Sequence, residues 1–370
     1  MSDRVAIVGV GTTPLRTLSP DQSYREMTFA AASRAYADAG VSHRDVDSFV
    51  SVCEDFHEGT SITDEYVPDQ LGAVLRPVQT IAGDGLAGVA TALMLIRSGI
   101  AAVVAVEAHA KTSNILRHDQ VLEMGLDPVY ERPLRLNPHY VAAMDMRRYL
   151  HDSGRSEAAV ADVVVENRRR ALHNPIAAYG AVLTPADVMA SAPISDPLRE
   201  LEVSPYADGA VVLVLAGEDA AAAAPRPVWI RGIGWISESS PLAMRDWGAA
   251  AYAALAADMA YRMADLSDPA REIAFAEVDD TYAYKQWQHI DAARLAPGGG
   301  ASRVVVNPSG GSLGMGYCYD ASALYRTAEA VRQIRGEAGR NQVPDATTGL
   351  VISWRGIPTQ TGGALVLGDH

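Results

Sequence analysis

Along the first hundred residues, short apolar runs alternate with stretches of helical period. Residues 5–10 (VAIVGV) form one such run and end at Gly11. Residues 22–40 place Ala32, Ala35 and Ala39 on one face and stop at Gly40, which predicts a closely packed amphipathic helix. Residues 46–52 and 78–81 read as strands, and the polar, acidic residues 54–70 as a solvated loop. Residues 84–98 are small or apolar on every side (Leu86, Val89, Leu93, Met94, Ile96), so they predict a helix buried all round. Residues 101–106 are a continuous apolar run of the parallel-sheet type.

The rhythm breaks at residues 107–200, which hold several prolines and two charge-rich helical stretches, 142–153 and 156–171. This region reads as a loop domain laid over the active face. An apolar strand returns at 211–215, and the Ala-rich residues 220–224, ended by Pro225, mark a junction. Beyond it the first half is repeated in outline. VAIVGVG near the start is echoed by VWIRGIG at 228–234, the helix at 84–98 by residues 320–335, and AAVVAVEAHA by TGLVISWRG. Such duplication predicts an α/β protein of two pseudo-symmetric βαβ-type halves, residues 1–224 and 225–370, whose two similar sheets pack around shared buried helices.

Composition narrows the function. The 370 residues are 48% hydrophobic and 21% charged, enough for packed layers and unlike a disordered chain. A formal net charge of −14 excludes the basic face that nucleic acid requires. Two cysteines, Cys53 and Cys318, allow neither a disulfide framework nor a four-cysteine metal site. Residues 107–200 contain His109, His118, His139, His151 and His173, but none forms an i, i+3 or i, i+4 ligand pair. They read as scattered surface or capping residues, and no metal is expected. No signal peptide opens the chain, and no apolar run is long enough to span a membrane. A cytoplasmic enzyme or enzyme subunit is the expected class.

The chemistry concentrates at 304–336, VVVNPSGGSLGMGYCYDASALYRTAEAVRQIRG. A β-branched run ends at Asn307-Pro308, a flexible turn follows with Gly310, Gly311, Gly314 and Gly316, and an apolar-periodic helix runs from about Asp320 to Gly336. Strand, Gly-rich turn and helix suit a place where backbone approaches a ligand or a second segment closely. The turn delivers Tyr317, Cys318 and Tyr319 to a helix N-terminus, where amides favour developing negative charge. These tyrosines either serve a site or fill a crowded core turn.

The chain resembles the thiolase superfamily, specifically the sterol-carrier-protein-x-type thiolases and their aldolase relatives. The resemblance rests on VAIVGVGTTP, on DMRRYLHDSGRSEAAVADVVVENRRRALHNP at 145–175, on PLRELEVSPYADGAVVLVL at 197–215, on AEVDDTY at 276–282 and on NPSGGSLGMG at 307–316. It implies the thiolase fold, a five-layer α/β/α/β/α body with a loop domain, normally a homodimer. It also implies that catalytic residues approach from both halves.

Thiolases hold a nucleophilic Cys at the start of the first buried helix, where this chain reads Ala82-Gly83-Asp84-Gly85. Their Gly-His-Pro triplet is here Gly316-Tyr317-Cys318, and their C-terminal Cys-x-Gly is replaced within Thr359-Gln360-Thr361-Gly362-Gly363. The resemblance therefore implies something other than Claisen chemistry. Steroid side-chain-degrading aldolases are similar thiolase-fold proteins without the nucleophile; they cleave a β-hydroxyacyl-CoA and keep a Tyr in the Gly-rich turn. On that pattern Tyr317 is the proton donor to the enolate carbon, or a hydrogen-bond donor to its oxygen. Asp279, where those relatives have a second Tyr, is the base unless it caps a helix beginning at Thr281. The enolate oxygen would be held by amides of a turn at Gly362-Gly363 or near Asp84, with Gly311 and Gly316 completing the substrate-binding set. Tyr282 and Tyr284 read as packing residues and Cys318 as a buried structural thiol.

The expected function is a carbon–carbon lyase acting on an acyl-CoA, possessing no cofactor beyond the coenzyme A of its substrate. The alternatives are a cysteine-less subunit of an acyltransferase assembly, and an acyl-transfer enzyme using Cys318. Expected partners are a second copy, joined through the strand at 101–106, and a small protein with an OB fold and a zinc ribbon. Substrate shape is expected to lie in the loop domain and residues 54–75.

Overall fold

The computed structural model describes residues 4–54, 63–296, 303–356 and 360–370. The first half runs β1 (Val5–Thr12), α1 (Tyr24–Ala39), β2 (Ser48–Val52), α2 (Thr63–Tyr66), α3 (Pro68–Leu71), β3 (Val78–Ile81), α4 (Gly85–Arg97) and β4 (Val103–Ala110). The loop region carries α5 (His118–Glu123), α6 (Pro138–Ser153), α7 (Glu157–Ala171), α8 (Pro185–Ala190) and the small hairpin β5 (Pro193–Ser195) and β6 (Leu198–Arg199). Then come β7 (Gly209–Gly217) and α9 (Glu218–Ala221). The second half runs β8 (Val228–Ser237), α10 (Ala251–Ala264), α11 (Pro269–Glu272), β9 (Phe275–Val278) and α12 (Ala283–Ala292). It continues through β10 (Val305–Val306), α13 (Gly311–Met315), α14 (Ala321–Ile334), β11 (Thr348–Arg355) and β12 (Thr361–Gly368).

Among the described residues the large sheet has the order β10-β9-β11-β12-β8-β1-β7-β4-β2-β3. Its halves repeat: β3-β2-β4-β7-β1 and β10-β9-β11-β12-β8 each carry three parallel strands followed by two antiparallel ones. The sequence repetition predicts two separate sheets, but the structure joins them at a short seam. There Ala6 and Ile7 of β1 pair with Trp229 and Val228 of β8. Helices α4 and α14 pack against each other and against strands of both halves, whereas α1 covers the first half from outside and α10 the second. Five layers result.

The echoed glycines explain the outer layers. A Cβ on Gly9 or Gly11 would lie 2.3 or 1.9 Å from a carbonyl oxygen of α1, and on Gly232 or Gly234 2.0 or 2.2 Å from one of α10. Only glycine lets each helix lie this close to its strand. Local signals fix the ends of α1, with a Ser23–Glu26 capping box at its start and Gly40 in the left-handed region at its stop.

Several expectations are corrected. The last turn of α4 emerges from the core, leaving Met94 48% exposed, and α14 is the helix buried nearly all round. The strand containing residues 103–106, β4, pairs with β2 on one side and β7 on the other, so it offers no edge to a second copy. The edges are β3 and β10. The Gly-rich turn contains the short helix α13. The predicted loop at 54–70 carries α2 and the start of α3, and its residues 55–62 lie outside the described residues.

Candidate active site

Two aspartates follow strand β9, and their carboxylates have different partners. Asp279 is 1% exposed; its Oδ2 lies 2.9 Å from the buried Arg326 of α14, and its Oδ1 accepts the Thr281 amide at 2.9 Å. The capping-type bond and the ion pair therefore coexist. Asp280 accepts the Ser312 and Leu313 amides at the start of α13 at 2.6 and 3.1 Å, and the Asn167 side chain at 2.9 Å. Burial pushes Asp280 up to about 6, against the opposing pull of Arg326. One strand residue deeper, Glu277 is fully buried, bonded to the amide and hydroxyl of Ser309, and pushed up to about 8 by burial and by Glu329.

The backbone of Asp279 is held as well. His289 donates from Nδ1 to the Asp279 carbonyl at 2.8 Å, which leaves Nε2 to accept the Tyr252 hydroxyl at 2.9 Å. Burial pushes His289 down to about 4. Beside it Lys285, fully buried, pairs with Asp145 at 2.9 Å and sits 4.3 Å over the Trp354 ring. This cluster pins α12 to α6 beneath the site.

Tyr317 follows α13 and is tied to residues 205–207. Its N–H donates to the Pro205 carbonyl at 2.7 Å, and its carbonyl accepts the Ala207 amide at 2.9 Å. The pairing sets Tyr206 beside Tyr317, with ring centroids 5.7 Å apart. Among the described residues the Tyr317 hydroxyl has no hydrogen-bond partner, although the ring is only partly exposed. Burial, then the charge of Asp279, holds its pKa well above that of free tyrosine, so it is a protonated phenol at neutral pH. The pair expected from the sequence is thus within electrostatic reach across two elements.

Asp84 is the N-cap of α4, where its Oδ1 accepts the Leu86 amide at 2.7 Å. Its Oδ2 accepts the Ser353 hydroxyl at 2.8 Å, and burial raises its pKa. Gly362 and Gly363 do not form a turn: both lie in β12, opposite Trp354 and Ser353. The Gly363 amide donates to Ser353 at 3.1 Å, so that donor is already engaged. Thr359, quoted with them in the sequence, lies outside the described residues. Gly311 has φ +58°, and a Cβ there would meet the Asp280 carboxyl at 2.1 Å; on Gly316 (φ +119°) it would meet Ala207. These two glycines permit close approach of protein to protein. Cys318 is fully buried with its sulfur 3.6 Å from the Gly209 carbonyl, a setting closed to an acyl group.

Two histidines read from sequence as scattered belong here. His118 Nδ1 lies 2.6 Å from the Tyr319 hydroxyl, and its ring stacks on Tyr206 at 3.6 Å. His139 Nδ1 lies 3.1 Å from the Tyr282 hydroxyl. Tyr206 carried a signal, since it lies in the SPYADG segment of the 197–215 motif. The histidines carried none, because each sits at the start of a helix, α5 or α6, and meets a tyrosine more than a hundred residues away in sequence. Among the described residues no three His, Cys, Asp or Glu side chains cluster as metal ligands, and no helix is long and apolar enough to cross a membrane.

Residues 236–369 match the thiolase C-terminal domain-like family. An acetyl-CoA acetyltransferase of Methanothermobacter thermautotrophicus is 28% identical over 368 residues, covering 94% of each chain. A steroid side-chain-cleaving aldolase of Thermomonospora curvata is 27% identical over 391 residues, 98% of this chain and 97% of that one. The solved structure of an Ltp2-ChsH2(DUF35) aldolase superposes with a TM-score of 0.84 at 25% identity, covering 100% of this chain and 98% of that one.

Proposed function

The chain belongs to the thiolase superfamily and has the thiolase fold; with that as premise, we propose that it is a lyase cleaving a β-hydroxyacyl-CoA by retro-aldol chemistry. The observation that carries this reading is Asp84. At the N-terminus of buried helix α4, where the superfamily resemblance puts a nucleophilic Cys, a carboxylate fills the cap and is bonded to Leu86 and Ser353. A side-chain cap that occupies the helix N-terminus supports a route without an acyl-enzyme. The 27%-identical Thermomonospora curvata relative, a steroid side-chain-cleaving aldolase, supports a bulky, steroid-like acyl group.

In this mechanism a base takes the β-hydroxyl proton, the Cα–Cβ bond breaks, and its electron pair passes into the thioester enolate. Tyr317 then gives its phenolic proton to Cα. Its protonated state, and a hydroxyl with no hydrogen-bond partner among the described residues, suit that role. Asp279 is the base in this reading, which requires its carboxylate to accept a proton while Arg326 stays alongside. The products are a ketone or aldehyde and a shortened acyl-CoA. The test is incubation with a panel of β-hydroxyacyl-CoAs and mass analysis for both products. Appearance of both from the protein with Cys53 and Cys318 replaced supports the reading; transfer of an acyl group in place of cleavage ends it.

The superposed aldolase is described as a two-component Ltp2-ChsH2(DUF35) assembly. We extend to this chain a small partner of that kind, and the panel is therefore run with the chain alone and with such a partner added.

A further inference from the structure

We propose that a groove at the far end of helix α4 binds a compact apolar monocarboxylate, at a place separate from the candidate active site and independent of the lyase reading. Helix α4 begins beside Asp84 in that site, and its 13 residues run for about 20 Å. Its last turn emerges from the core beside β8. Helix α10 packs on β8 as well, and the space left between the two helices is a groove of about 700 Å³. That volume is typical of a small-molecule site.

Most of the groove wall is apolar. Leu93 and Met94 of α4 line one side and Met259 and Met263 of α10 the other, with Ile233 and Trp235 of β8 between them. Met94 and Trp235 are 48% and 42% exposed, so their apolar surface is open to a guest. The methionine thioethers can adjust to the outline of that guest, and the indole supplies a flat wall. Neither helix wall is long. Residues 93–98 of α4 rise about 8 Å and residues 259–263 of α10 about 6 Å, little more than one turn each. A docked amphipathic helix needs anchors spread over two turns, so these walls suit a compact body instead.

The rim supplies the charge preference. Arg97 stands in the last turn of α4 and Arg262 in the last turn of α10. Each complements a helix C-terminus, whose pole carries roughly half a negative charge, so the two guanidiniums leave about one net positive charge at the rim. Arg262 is exposed and makes no hydrogen bond or ion pair among the described residues. Among the described residues no acidic side chain lines the groove, in a chain whose formal net charge is −14. A single carboxylate answers such a rim, with both oxygens forked onto one guanidinium. A cation would be repelled, and an uncharged guest would leave the charge unanswered.

The test uses the full chain, with adamantane carboxylate and decanoate as probes and the corresponding alcohols as uncharged controls. Binding is read by titration calorimetry and by tryptophan fluorescence. The acids are expected to bind at one site per chain with sub-millimolar affinity, at least about tenfold tighter than the alcohols. Arg262→Gln keeps a donor and removes the charge; it should bring the acids to the affinity of the alcohols and leave the alcohols unchanged. Trp235→Phe should abolish the fluorescence response while calorimetric binding persists. Acids that do not bind, that bind no better than the alcohols, or that bind equally well to Arg262→Gln overturn the proposal. A fluorescence response that survives Trp235→Phe places the acid elsewhere and also overturns it. Sedimentation of Met94→Lys checks the other occupant: a shift to a smaller species means that a second copy fills the groove, and the small-ligand site is wrong. Turnover of a β-hydroxyacyl-CoA enters none of these readouts, so the lyase reading and this site stand or fall separately.

Discussion

Tyr317 and Asp279 meet the site in different ways, and substitution should separate them. The Tyr317 hydroxyl has no partner among the described residues, so Tyr317→Phe should leave melting temperature nearly unchanged while cutting turnover at least roughly a hundredfold. Near-native turnover on a confirmed substrate would remove Tyr317 from the mechanism. From sequence alone Asp279→Asn looks equally harmless to the fold. The ion pair with Arg326 changes that expectation, because a buried pair broken on one side costs about 3–5 kcal/mol. Lost activity in Asp279→Asn therefore counts only if the variant is shown to be folded at the assay temperature by circular dichroism. Glu277 makes a second prediction. Its pKa is raised in the folded protein, so the native state holds a proton that the unfolded chain has released, and stability falls as pH rises from about 4.5 to about 8. Glu277→Gln keeps both Ser309 contacts without the charge, and should flatten that decline in denaturant melts at pH 5 and pH 8. An equally steep decline in the variant would assign the pH dependence elsewhere.

At the scale of elements, the features legible in the sequence are those that repeat or end cleanly. The VAIVGVG and VWIRGIG strands could be matched because the same glycines are demanded by the same helix-on-strand contact in each half. The ends of α1 were marked by Ser23, Glu26 and Gly40. By contrast, Gly362-Gly363 looked like a turn because glycine is a poor strand residue in isolation; in β12 both are needed where Tyr252, Leu86 and Ser353 press on the strand. Helix α13 was hidden among glycines because its N-terminus is held by a side chain 32 and 33 residues earlier in sequence, Asp280 bonded to Ser312 and Leu313. That dependence is testable. Gly311→Ala combines a left-handed φ with a Cβ 2.1 Å from the Asp280 carboxyl, whereas Gly154→Ala has a similar φ and open space. The second should cost about 1 kcal/mol and the first about 2–3 kcal/mol more, read from urea midpoints at constant slope. Equal losses would mean that Asp280 yields easily and does not organise α13.

For the whole molecule, the sheet edges decide how a second copy can attach. The family resemblance leads to the expectation of a homodimer through the strand at 101–106, taken as a sheet edge, but that run lies between two neighbouring strands. In the folded chain β4 is hydrogen-bonded on both sides, and its eight residues are all buried. The edge of the first half is β3, bonded among the described residues only to β2, with Val78, Gln79 and Ile81 partly exposed and Thr80 exposed. The opposite edge, β10, is two residues long and too short to template a stable pairing. Val74 and Leu75, 61% and 101% exposed, lie just before β3 and extend its apolar margin. An unpaired strand flanked by exposed apolar side chains is the surface on which a homodimer would form, two β3 edges meeting about a twofold axis. Sedimentation at micromolar concentration should give a dimer, and Thr80→Lys, which brings two like charges together across that axis, should shift it to monomer. Leu116→Lys, on the exposed loop region far along the chain, should leave the dimer intact. A wild-type monomer would end the homodimer expectation; a dimer indifferent to Thr80→Lys and broken by Leu116→Lys would move the interface away from β3 and onto the loop region.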